Sequence, residues 1–398
     1  MLRLRGSCFW GFALGLVSFL CGAPAIADEA PFDINVILPL TGPASLFGTE
    51  LHLSIEQVEK VVNADGGING RPVHFVFSDD QSSPQVAVQI VTQLIASNPP
   101  AVIIGPSLAA TCNAVAPLLT NGPADYCTSP AIQPKAGGYM FSAGLATDDL
   151  LPAVLRYYQH RGWKRLGMIT TTDASGQDGE RAFNLALSQP DFSDVKIIER
   201  VYYNVSDVTA SAQVERMKAA QPQALLAWAT SVSVALTFRG MIQSGLDVPV
   251  AVSTINELYA VMHQFGPILP KDLYMGSGQG SARGDGLKLT PEMAAKKKRL
   301  YDAYAALGRI PDVAAENPWD ASMIIIDALR HLGTNATGTQ IRDYIHHLSN
   351  FVGVTGVYDF QKFPQRGLDQ HSAVVVRWNA EKTMFEAVSS PGGLPLAQ

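Results

Sequence analysis

The sequence predicts an α/β protein made of two similar lobes, each a doubly wound parallel sheet covered by helices. Short apolar runs with the two-residue period of strands alternate with stretches of helical period. This alternation occurs twice along the chain, over similar lengths. The 398 residues are 47% apolar and 16% charged, which is enough apolar material for two hydrophobic cores and excludes general disorder.

The first series of elements begins at Phe32. The alternating faces of Phe32–Leu38 predict a strand, and apolar positions at helical spacing from Leu51 to Val62 predict the helix that follows. Glycines and a proline between Asp65 and Pro72 end that helix, because proline cannot continue it. Later strands are predicted at residues 73–77, 101–104 and 124–128, and helices over residues 86–94 and from about Thr111.

The second series has the same rhythm and begins near Asp148 with a helix. Its strands are predicted at residues 166–170, 195–202, 224–227 and 250–253, with helices between them. No long linker separates the two series, so short crossovers are expected to join the lobes. The tail from Tyr274 is expected to complete both lobes, with helices over residues 290–307, 317–332 and 339–348 and strands at 354–358 and 373–378.

Residues 1–27 have the three parts of an export signal. Arg3 and Arg5 give a positive start, an apolar run follows, and Ala25-Ile26-Ala27 is a small-residue cleavage site. A membrane anchor is the alternative, but the run is interrupted before the roughly 18 apolar residues of a span. A lipid anchor on Cys21 is disfavoured, because large residues precede it. We expect cleavage near Ala27 and a mature chain in the periplasm, with 27 basic and 35 acidic residues.

Two cysteines, Cys112 and Cys127, remain after removal of the signal. An oxidising compartment favours pairing of thiols that lie within reach of each other, so the sequence predicts a disulfide between them. Two buried free thiols are the alternative.

The chain lacks the motifs of several enzyme and binding classes. The acidic excess and the absence of a long basic run exclude a nucleic-acid role. There is no Gly-x-Ser-x-Gly elbow, no phosphate-binding loop and no His-Glu-x-x-His motif. Neighbouring His346 and His347 would diverge on a helix, which makes a poor metal pair. We therefore expect no catalysis, no cofactor and no metal.

Several short motifs occur in a characteristic order along the chain. They are Leu40-Thr41-Gly42-Pro43, Asn63 to Gly70, Asp79-Asp80, Gly105-Pro106, Ala116-Pro117, Ser129-Pro130, Gly176-Gln177-Asp178, Trp228-Ala229-Thr230 and Asn317-Pro318-Trp319-Asp320. With these motifs the sequence resembles the leucine/isoleucine/valine-type substrate-binding proteins of bacterial ABC importers. The resemblance runs from about Phe32 to Trp378.

The resemblance implies the type I periplasmic-binding fold, in which two lobes close on a ligand around a three-crossover hinge. Lobe one is expected to comprise residues 28–146 and 277–352, and lobe two residues 147–276 and 353–398. The crossovers would then lie near Thr147-Asp148, Gly276 to Gly280 and Asn350 to Gly353. The implied partners are the permease and ATPase subunits of an ABC transporter, and the implied state is a monomer.

The resemblance also bears on ligand class. Amino-acid-binding members hold the ligand carboxylate with a Ser and a Thr of the first lobe, and its ammonium with a Tyr and an acidic residue of the second. The matching positions here are Ala109, Gln133, Ser175 and Thr254. A buried ammonium without a carboxylate partner would cost on the order of several kcal/mol. We therefore predict a small organic acid without an α-amino group, aromatic carboxylates included. An acidic neighbour such as Glu257, if turned into the cleft, would favour an amino acid instead.

The predicted ligand-binding residues are apolar and neutral polar residues near the expected strand ends. They are Phe47, Leu108, Ala109, Ala110, Thr111, Ser129, Ile132, Gln133, Ser175, Gln177, Thr230, Ser231, Thr254 and Asn256. For each hydroxyl residue the alternative interpretation is that it caps a helix. For Phe47 the alternative is that it packs in the core. Arg283 is interpreted as a loop charge and not as a ligand partner. The function predicted is solute capture for an ABC importer; a sensor subunit and an exported hydrolase are the alternatives.

Overall fold

The computed structural model of the chain describes residues 1–2, 30–229 and 231–396, with the side chain of Ser231 also left undescribed. Apart from its first two residues, the predicted export signal lies outside the described residues. In the described part of the chain, no helix has the length and apolar character needed to span a membrane.

The first lobe contains a five-stranded parallel sheet. Its strands are β1 (Phe32–Leu38), β2 (Val73–Asp79), β3 (Val102–Ile104), β4 (Ala124–Cys127) and β5 (Met140–Ser142). The spatial order is β2-β1-β3-β4-β5, and every neighbouring pair is parallel. The helices between these strands are α1 (Ser45–Ala64), α2 (Pro84–Ser97) and α3 (Ala109–Val115).

The second lobe contains a seven-stranded sheet. Its helices are α4 (Thr147–His160), α5 (Ala174–Leu187), α6 (Ser211–Ala219), α7 (Val234–Ser244) and α8 (Tyr259–Phe265). Its parallel strands are β6 (Arg165–Thr171), β7 (Lys196–Tyr203), β8 (Ala224–Trp228), β9 (Val250–Val252) and β10 (Leu273–Ser277).

The C-terminal third of the chain serves both lobes. Its elements are α9 (Pro291–Ala305), α10 (Val313–Leu332), α11 (Gly338–His347), β11 (Ser349–Val352), β12 (Val357–Asp359), β13 (Val374–Asn379) and β14 (Met384–Ala387). Helix α10 packs on the first lobe, where Ser54 Oγ of α1 donates to Ala315 O at 2.8 Å. Strands β13 and β14 extend the second sheet antiparallel, giving the order β14-β13-β10-β9-β8-β6-β7.

Strand β1 is buried on both faces, as expected of a central strand between two helical layers. Ile34 and Val36 belong to the same buried cluster as Ile55 of α1. Ile37, on the opposite face, belongs to a second cluster with Val91 of α2. The apolar residues of the strand therefore fix the sheet between its two layers of helices.

The predicted fold class is confirmed: the chain forms two parallel-sheet α/β lobes. The predicted strands of both series occur within a few residues of their expected bounds. The sequence analysis missed β5, β10, β11, β14 and α8. These elements have three to seven residues, too few for a strand or helix period to stand out from a run of buried residues.

One lobe boundary needs a correction. The sequence analysis assigns residues 353–398 to lobe two, but β12 pairs with β11 and the chain after it stays against the first sheet. The ring of Phe360 lies 5.9 Å from that of Phe141, and Gln365 Nε2 donates to Met140 O at 2.9 Å. Antiparallel pairing with β11 holds this segment, so the third crossover follows it. The rest of the predicted lobe division stays a prediction.

Candidate functional site

A cavity of about 400 Å³ lies between the lobes at the carboxyl ends of the parallel strands. In the first lobe Pro43-Ala44 follow β1, Leu108–Ala110 follow β3 and Ser129–Ala131 follow β4. In the second lobe Asp173–Ser175 follow β6 and Ser253–Ile255 follow β9. The remaining wall residues are Ser82, Thr147, Val205, Ser206, Trp228, Val232 and Ser233. Open α/β sheets bind ligands at this edge.

A wider groove of about 770 Å³ lies elsewhere, on the second lobe. It includes His160 and Arg161 at the C-terminal end of α4, whereas Thr147 at the start of that helix lines the interlobe cavity. The two ends are about 20 Å apart at the rise of an α-helix. The groove is therefore separate from the strand ends where both lobes meet.

The described wall of the interlobe cavity is mainly apolar and almost uncharged. Of its 21 residues eight are Ser or Thr, and Asp173 is the one charged residue among them. No Lys, Arg or His belongs to this described lining. Such a wall suits a solute with an apolar body and few polar groups.

The disulfide joins two of the wall segments in the first lobe. Cys112 lies in the first turns of α3, Cys127 ends β4, and the two residues are disulfide-bonded with their Cα atoms 6.1 Å apart. Leu108–Ala110 precede the first cysteine and Ser129–Ala131 follow the second. The covalent link therefore ties these two parts of the wall to each other.

Helix α5 begins directly on the wall of the second lobe. Asp173 caps it, because Asp173 Oδ1 accepts hydrogen bonds from Gly176 N at 3.1 Å and Thr171 Oγ1 at 2.6 Å. Gly176 permits the tight start, since a Cβ atom there would lie 1.8 Å from Thr171 O. The next wall hydroxyl, that of Ser175, makes no hydrogen bond to another described residue, and neither does that of Thr254. Both are free to bind a solute.

Trp228 is the aromatic residue of the described wall and ends strand β8. It is 3% exposed, yet its indole N–H has no hydrogen-bond partner among the described residues. A buried indole N–H normally finds a partner. The structure therefore places an aromatic residue in the cavity wall whose donor no described residue uses.

A family model described as periplasmic binding protein matches residues 31–383 of the chain. The chain belongs to this family. It is a type I periplasmic binding protein, and curated relatives similar to it are named Leu/Ile/Val-binding protein homologs. This binding protein is 35% identical over 94 residues to the Leu/Ile/Val-binding protein homolog 3 of Brucella melitensis, a match that covers 24% of this chain and 23% of the relative. The matched segment thus spans about a quarter of the curated relative's length.

Two solved structures share the fold over most of this binding protein. The branched-chain amino acid transporter substrate binding protein LivJ of Streptococcus pneumoniae, in complex with isoleucine, has a TM-score of 0.73 at 17% identity and covers 90% of this chain and 99% of its own. The fatty acid ABC transporter substrate-binding protein of Thermomonospora curvata has a TM-score of 0.73 at 17% identity, covering 90% of this chain and 91% of its own. At these identities the likeness shows the fold alone.

Six predicted binding residues line the cavity of this binding protein. They are Leu108, Ala109, Ala110, Ser129, Ser175 and Thr254. Their contact with a ligand stays a prediction. Thr230 lies outside the described residues, as does the side chain of Ser231.

Four predicted polar residues need a correction, because they are not among the wall residues of the cavity and bond within the protein. Thr111 Oγ1 donates to Leu108 O at 3.0 Å and thereby caps α3. Asn256 Nδ2 donates to Ala229 O at 2.8 Å and is buried. Gln177 Nε2 donates to Thr172 O at 3.0 Å on the exposed side of α5. Gln133 is exposed and its Nε2 lies 3.5 Å from an oxygen of Asp148.

Two predicted apolar residues also need a correction. Phe47, on α1, is 2% exposed and packs in the main core, which is the alternative interpretation given above for this residue. Ile132 is buried in the second core cluster, beside the disulfide.

Glu257 does not enter the cleft. It is fully buried and its Oε1 accepts a hydrogen bond from Ser277 Oγ at 2.9 Å, at the second crossover. Burial, with the nearby Glu316 carboxylate, raises the pKa of Glu257 well above its usual range. Glu316 Oε2 accepts from Ser281 N at 2.7 Å in the same cluster. Glu257 is therefore a buried residue beside the end of β10 and offers no acidic partner to a solute.

The sequence analysis missed Asp173 and Trp228. Both stand at the carboxyl end of a predicted second-lobe strand, where wall residues are expected. Two sequence signals could have indicated them. Asp173 is a capping residue before Ala174-Ser175-Gly176, and Trp228 is an aromatic residue at the end of β8. Arg283 is not among the wall residues, and its backbone N–H donates to Phe385 O at 2.9 Å.

Proposed function

We propose that this chain is an extracytoplasmic solute-binding protein that captures a small organic acid in the interlobe cavity for the permease and ATPase of an ABC importer. The observation that carries the proposal is the wall at Ser175 and Thr254. Both hydroxyls are neutral and unused, and the family resemblance matches these positions to the ammonium-binding residues of amino-acid-binding members. The export signal of residues 1–27, cleaved near Ala27, is part of the same proposal.

The body of the solute is apolar. Twelve of the described wall residues are apolar, and the indole of Trp228 adds an aromatic surface. The cavity of about 400 Å³ is within the range of small-molecule sites. Branched aliphatic and aromatic acids both have such a body.

The polar end of the solute is a single acidic group. Hydroxyls and the backbone N–H groups of Ala109 and Ala110, at the start of α3, are donors that an anion can accept from. The described lining contains no cationic side chain that would offset a second carboxylate. These features support a monocarboxylate over a dicarboxylate.

A branched-chain amino acid is the second candidate, and Asp173 favours it. Its Oδ1 is engaged in capping, whereas Oδ2 has no hydrogen-bond partner among the described residues and its carboxylate lines the cavity. A carboxylate is a natural partner for an ammonium. The name of the Brucella relative and the isoleucine in the LivJ structure support the same candidate.

Calorimetry with leucine and α-ketoisocaproate separates the two candidates. The two molecules share a carbon skeleton and a carboxylate, and differ in whether an ammonium or a ketone stands beside it. We expect the keto acid to bind more tightly by about tenfold or more, because the neutral hydroxyls of Ser175 and Thr254 give an ammonium no charged partner, and a hydrogen bond to a charged group contributes about 1.5 to 3 kcal/mol. If Asp173 Oδ2 is that partner, leucine binds more tightly than the keto acid. Benzoate and isovalerate test the aromatic and aliphatic bodies. Sub-micromolar binding of leucine, with no measurable binding of the acids, would overturn the proposal.

An Asp173→Asn variant provides the matched test of charge. Asn retains the capping oxygen, so helix α5 keeps its start. If the ligand is an acid, the variant binds it more tightly, since a like charge has been removed from the wall. If the ligand is an amino acid, the variant loses affinity for leucine. Asp247→Asn, an exposed aspartate outside the cavity lining, is the control and should change neither.

A further inference from the structure

Two buried residues near the third crossover hold the irregular part of the cavity wall. Gln365 is 1% exposed and Arg366 is 7% exposed, and both follow β12. They face residues 128–139, which form neither helix nor strand yet include the wall residues Ser129–Ala131. An irregular segment has no backbone ladder of its own, so its shape depends on such side-chain partners.

Arg366 satisfies three backbone carbonyls of this region. Its guanidinium donates to Ile132 O at 2.9 Å, to Gly144 O at 3.2 Å and, at the long limit of 3.5 Å, to Pro130 O. All three carbonyl oxygens therefore accept from one buried side chain. The fork of the guanidinium thereby contacts the irregular segment and also Gly144, which follows β5.

Gln365 holds the middle of the same segment. Its Nε2 donates to Gly138 O at 3.1 Å and to Met140 O at 2.9 Å. Its Oε1 accepts from Gly137 N at 3.0 Å, and its backbone oxygen accepts from Ser142 N at 2.8 Å. The two residues together therefore engage the chain from Pro130 to Gly144.

These contacts continue to Ser129 on the wall. Ser142, held by Gln365, donates its Oγ hydrogen to Ser129 O at 2.9 Å. Ala131 N donates to Ser129 Oγ at 3.3 Å. The hydroxyl of Ser129 keeps its one hydrogen to donate, and no described residue accepts it. Since Ser129 lines the cavity, this donor is available to a solute.

Arg366 is a costly residue to bury. Asp149, Asp178 and Asp148 lie near enough to influence it, but its direct partners are the carbonyls. A buried charge satisfied in this way is retained at a cost in stability. Holding the shape of a binding wall accounts for that cost.

We propose that Gln365 and Arg366 form a positioning element that holds the segment from Ser129 to Gly144, so that the Ser129 hydroxyl donates to the acidic end of the bound solute. The role of Ser129 rests on the proposed function. The contacts by which Gln365 and Arg366 hold the segment do not depend on the proposed function. The positioning of the segment and the role of Ser129 are therefore tested separately.

Hydrogen exchange tests, without a ligand, whether Arg366 holds the segment in place. In an Arg366→Met variant the amides of residues 131–144 should exchange about tenfold faster or more, because the segment that carries them loses the side chain that binds its carbonyls and opens more often. The matched control is Arg330→Met: Arg330 on α10 donates to Gly67 O at 2.9 Å and is no part of the cavity lining. It should leave the amides of residues 131–144 unchanged. Unchanged exchange in a folded Arg366 variant would overturn the proposal. Arg366→Lys, which keeps the charge, serves if the Met variant does not fold and should give an intermediate rate.

A double-mutant cycle tests the action through Ser129. The probes are α-ketoisocaproate, benzoate and leucine, whichever the wild type binds. We expect Ser129→Ala and Arg366→Met each to weaken binding about tenfold, and the double variant to be little worse than either, as for residues that act as a unit. Fully additive losses would refute the action through Ser129. Absence of binding by the wild type would refute the proposed function, while the exchange result would still decide the hold.

Discussion

The indole of Trp228 packs directly against Gly179 of α5: a Cβ atom at position 179 would lie 2.2 Å from Trp228 Cδ1 and 2.8 Å from its Nε1. Such distances are far inside van der Waals contact. The missing side chain of Gly179 therefore lets the helix approach strand β8. This approach also fixes where the indole ring stands in the cavity wall.

Gly179→Ala should lower stability despite favouring the helix. Alanine gains up to about 1 kcal/mol of helix propensity over glycine, but overpacking a filled site costs about 1–3 kcal/mol. Urea unfolding measures the net effect, which we expect to be a loss. In a Trp228→Leu background the same substitution should become neutral or stabilising. A loss of equal size in both backgrounds would show that the contact with Trp228 is not the cause.

Trp228→Phe should weaken solute binding by about tenfold if the solute accepts a hydrogen bond from the indole N–H, because the substitution keeps a ring and removes that donor. Trp228→Leu should weaken binding further, through the lost aromatic surface. Solute binding should also change the intrinsic fluorescence of the wild type and of a Trp163→Phe control, since Trp163 is not among the wall residues. Binding that leaves the emission unchanged in the wild type would place the solute away from Trp228.

Loss of the disulfide should destabilise the first lobe and loosen its wall. The bridge closes a separation of 15 residues between Cys112 and Cys127, for which chain entropy predicts a contribution of about 3 kcal/mol. We expect a Cys112→Ser/Cys127→Ser variant to unfold at lower urea, and reduction of the wild type to have the same effect. Unfolded, unreduced protein made in the periplasm should label no thiol at these positions. Labelling of two thiols would contradict the disulfide.

Glu257→Gln should flatten the dependence of stability on pH. Burial raises the pKa of Glu257, so above pH 4.5, the usual pKa of a glutamate, the folded chain holds a proton that the unfolded chain releases. The free energy of unfolding of the wild type therefore falls as pH rises, by up to about 1.4 kcal/mol per pH unit from this group. Gln carries no charge at any pH.

Denaturant unfolding at pH 5 and pH 8 measures the effect. The Glu257→Gln variant should gain stability relative to the wild type at the higher pH. Glu316, Asp312 and Asp320 also have raised pKa values, so part of the dependence should persist in the variant. Glu215 lies on an exposed face of α6, and a Glu215→Gln variant should show the same dependence of stability on pH as the wild type. A variant that keeps the full slope would show that Glu257 is ionised in the folded protein.

The fold class could be predicted from the sequence because it depends on local periodicity. Residues Phe32–Leu38 alternate faces whether or not their neighbours are known, and the glycines after α1 mark its end. The pairing of Cys112 with Cys127 could also be predicted from the sequence, because removal of the expected export signal would leave only these two cysteines. Position at a strand end likewise placed Leu108–Ala110 and Ser129 on the wall.

Tertiary structure alone decided which polar groups face the cavity. Thr111 and Ser175 are both hydroxyl residues in the first turns of helices that follow a strand, yet Thr111 caps its own helix and Ser175 stays free. Asn256 bonds to Ala229, while Thr254, two residues earlier, faces the solute site. Sequence determined the strands and helices through short-range periodicity and turn preferences. The orientation of each wall residue depended on hydrogen-bond partners brought close only by folding, such as Ile132 and Gly144 around Arg366, which lie more than 220 positions from it in the chain.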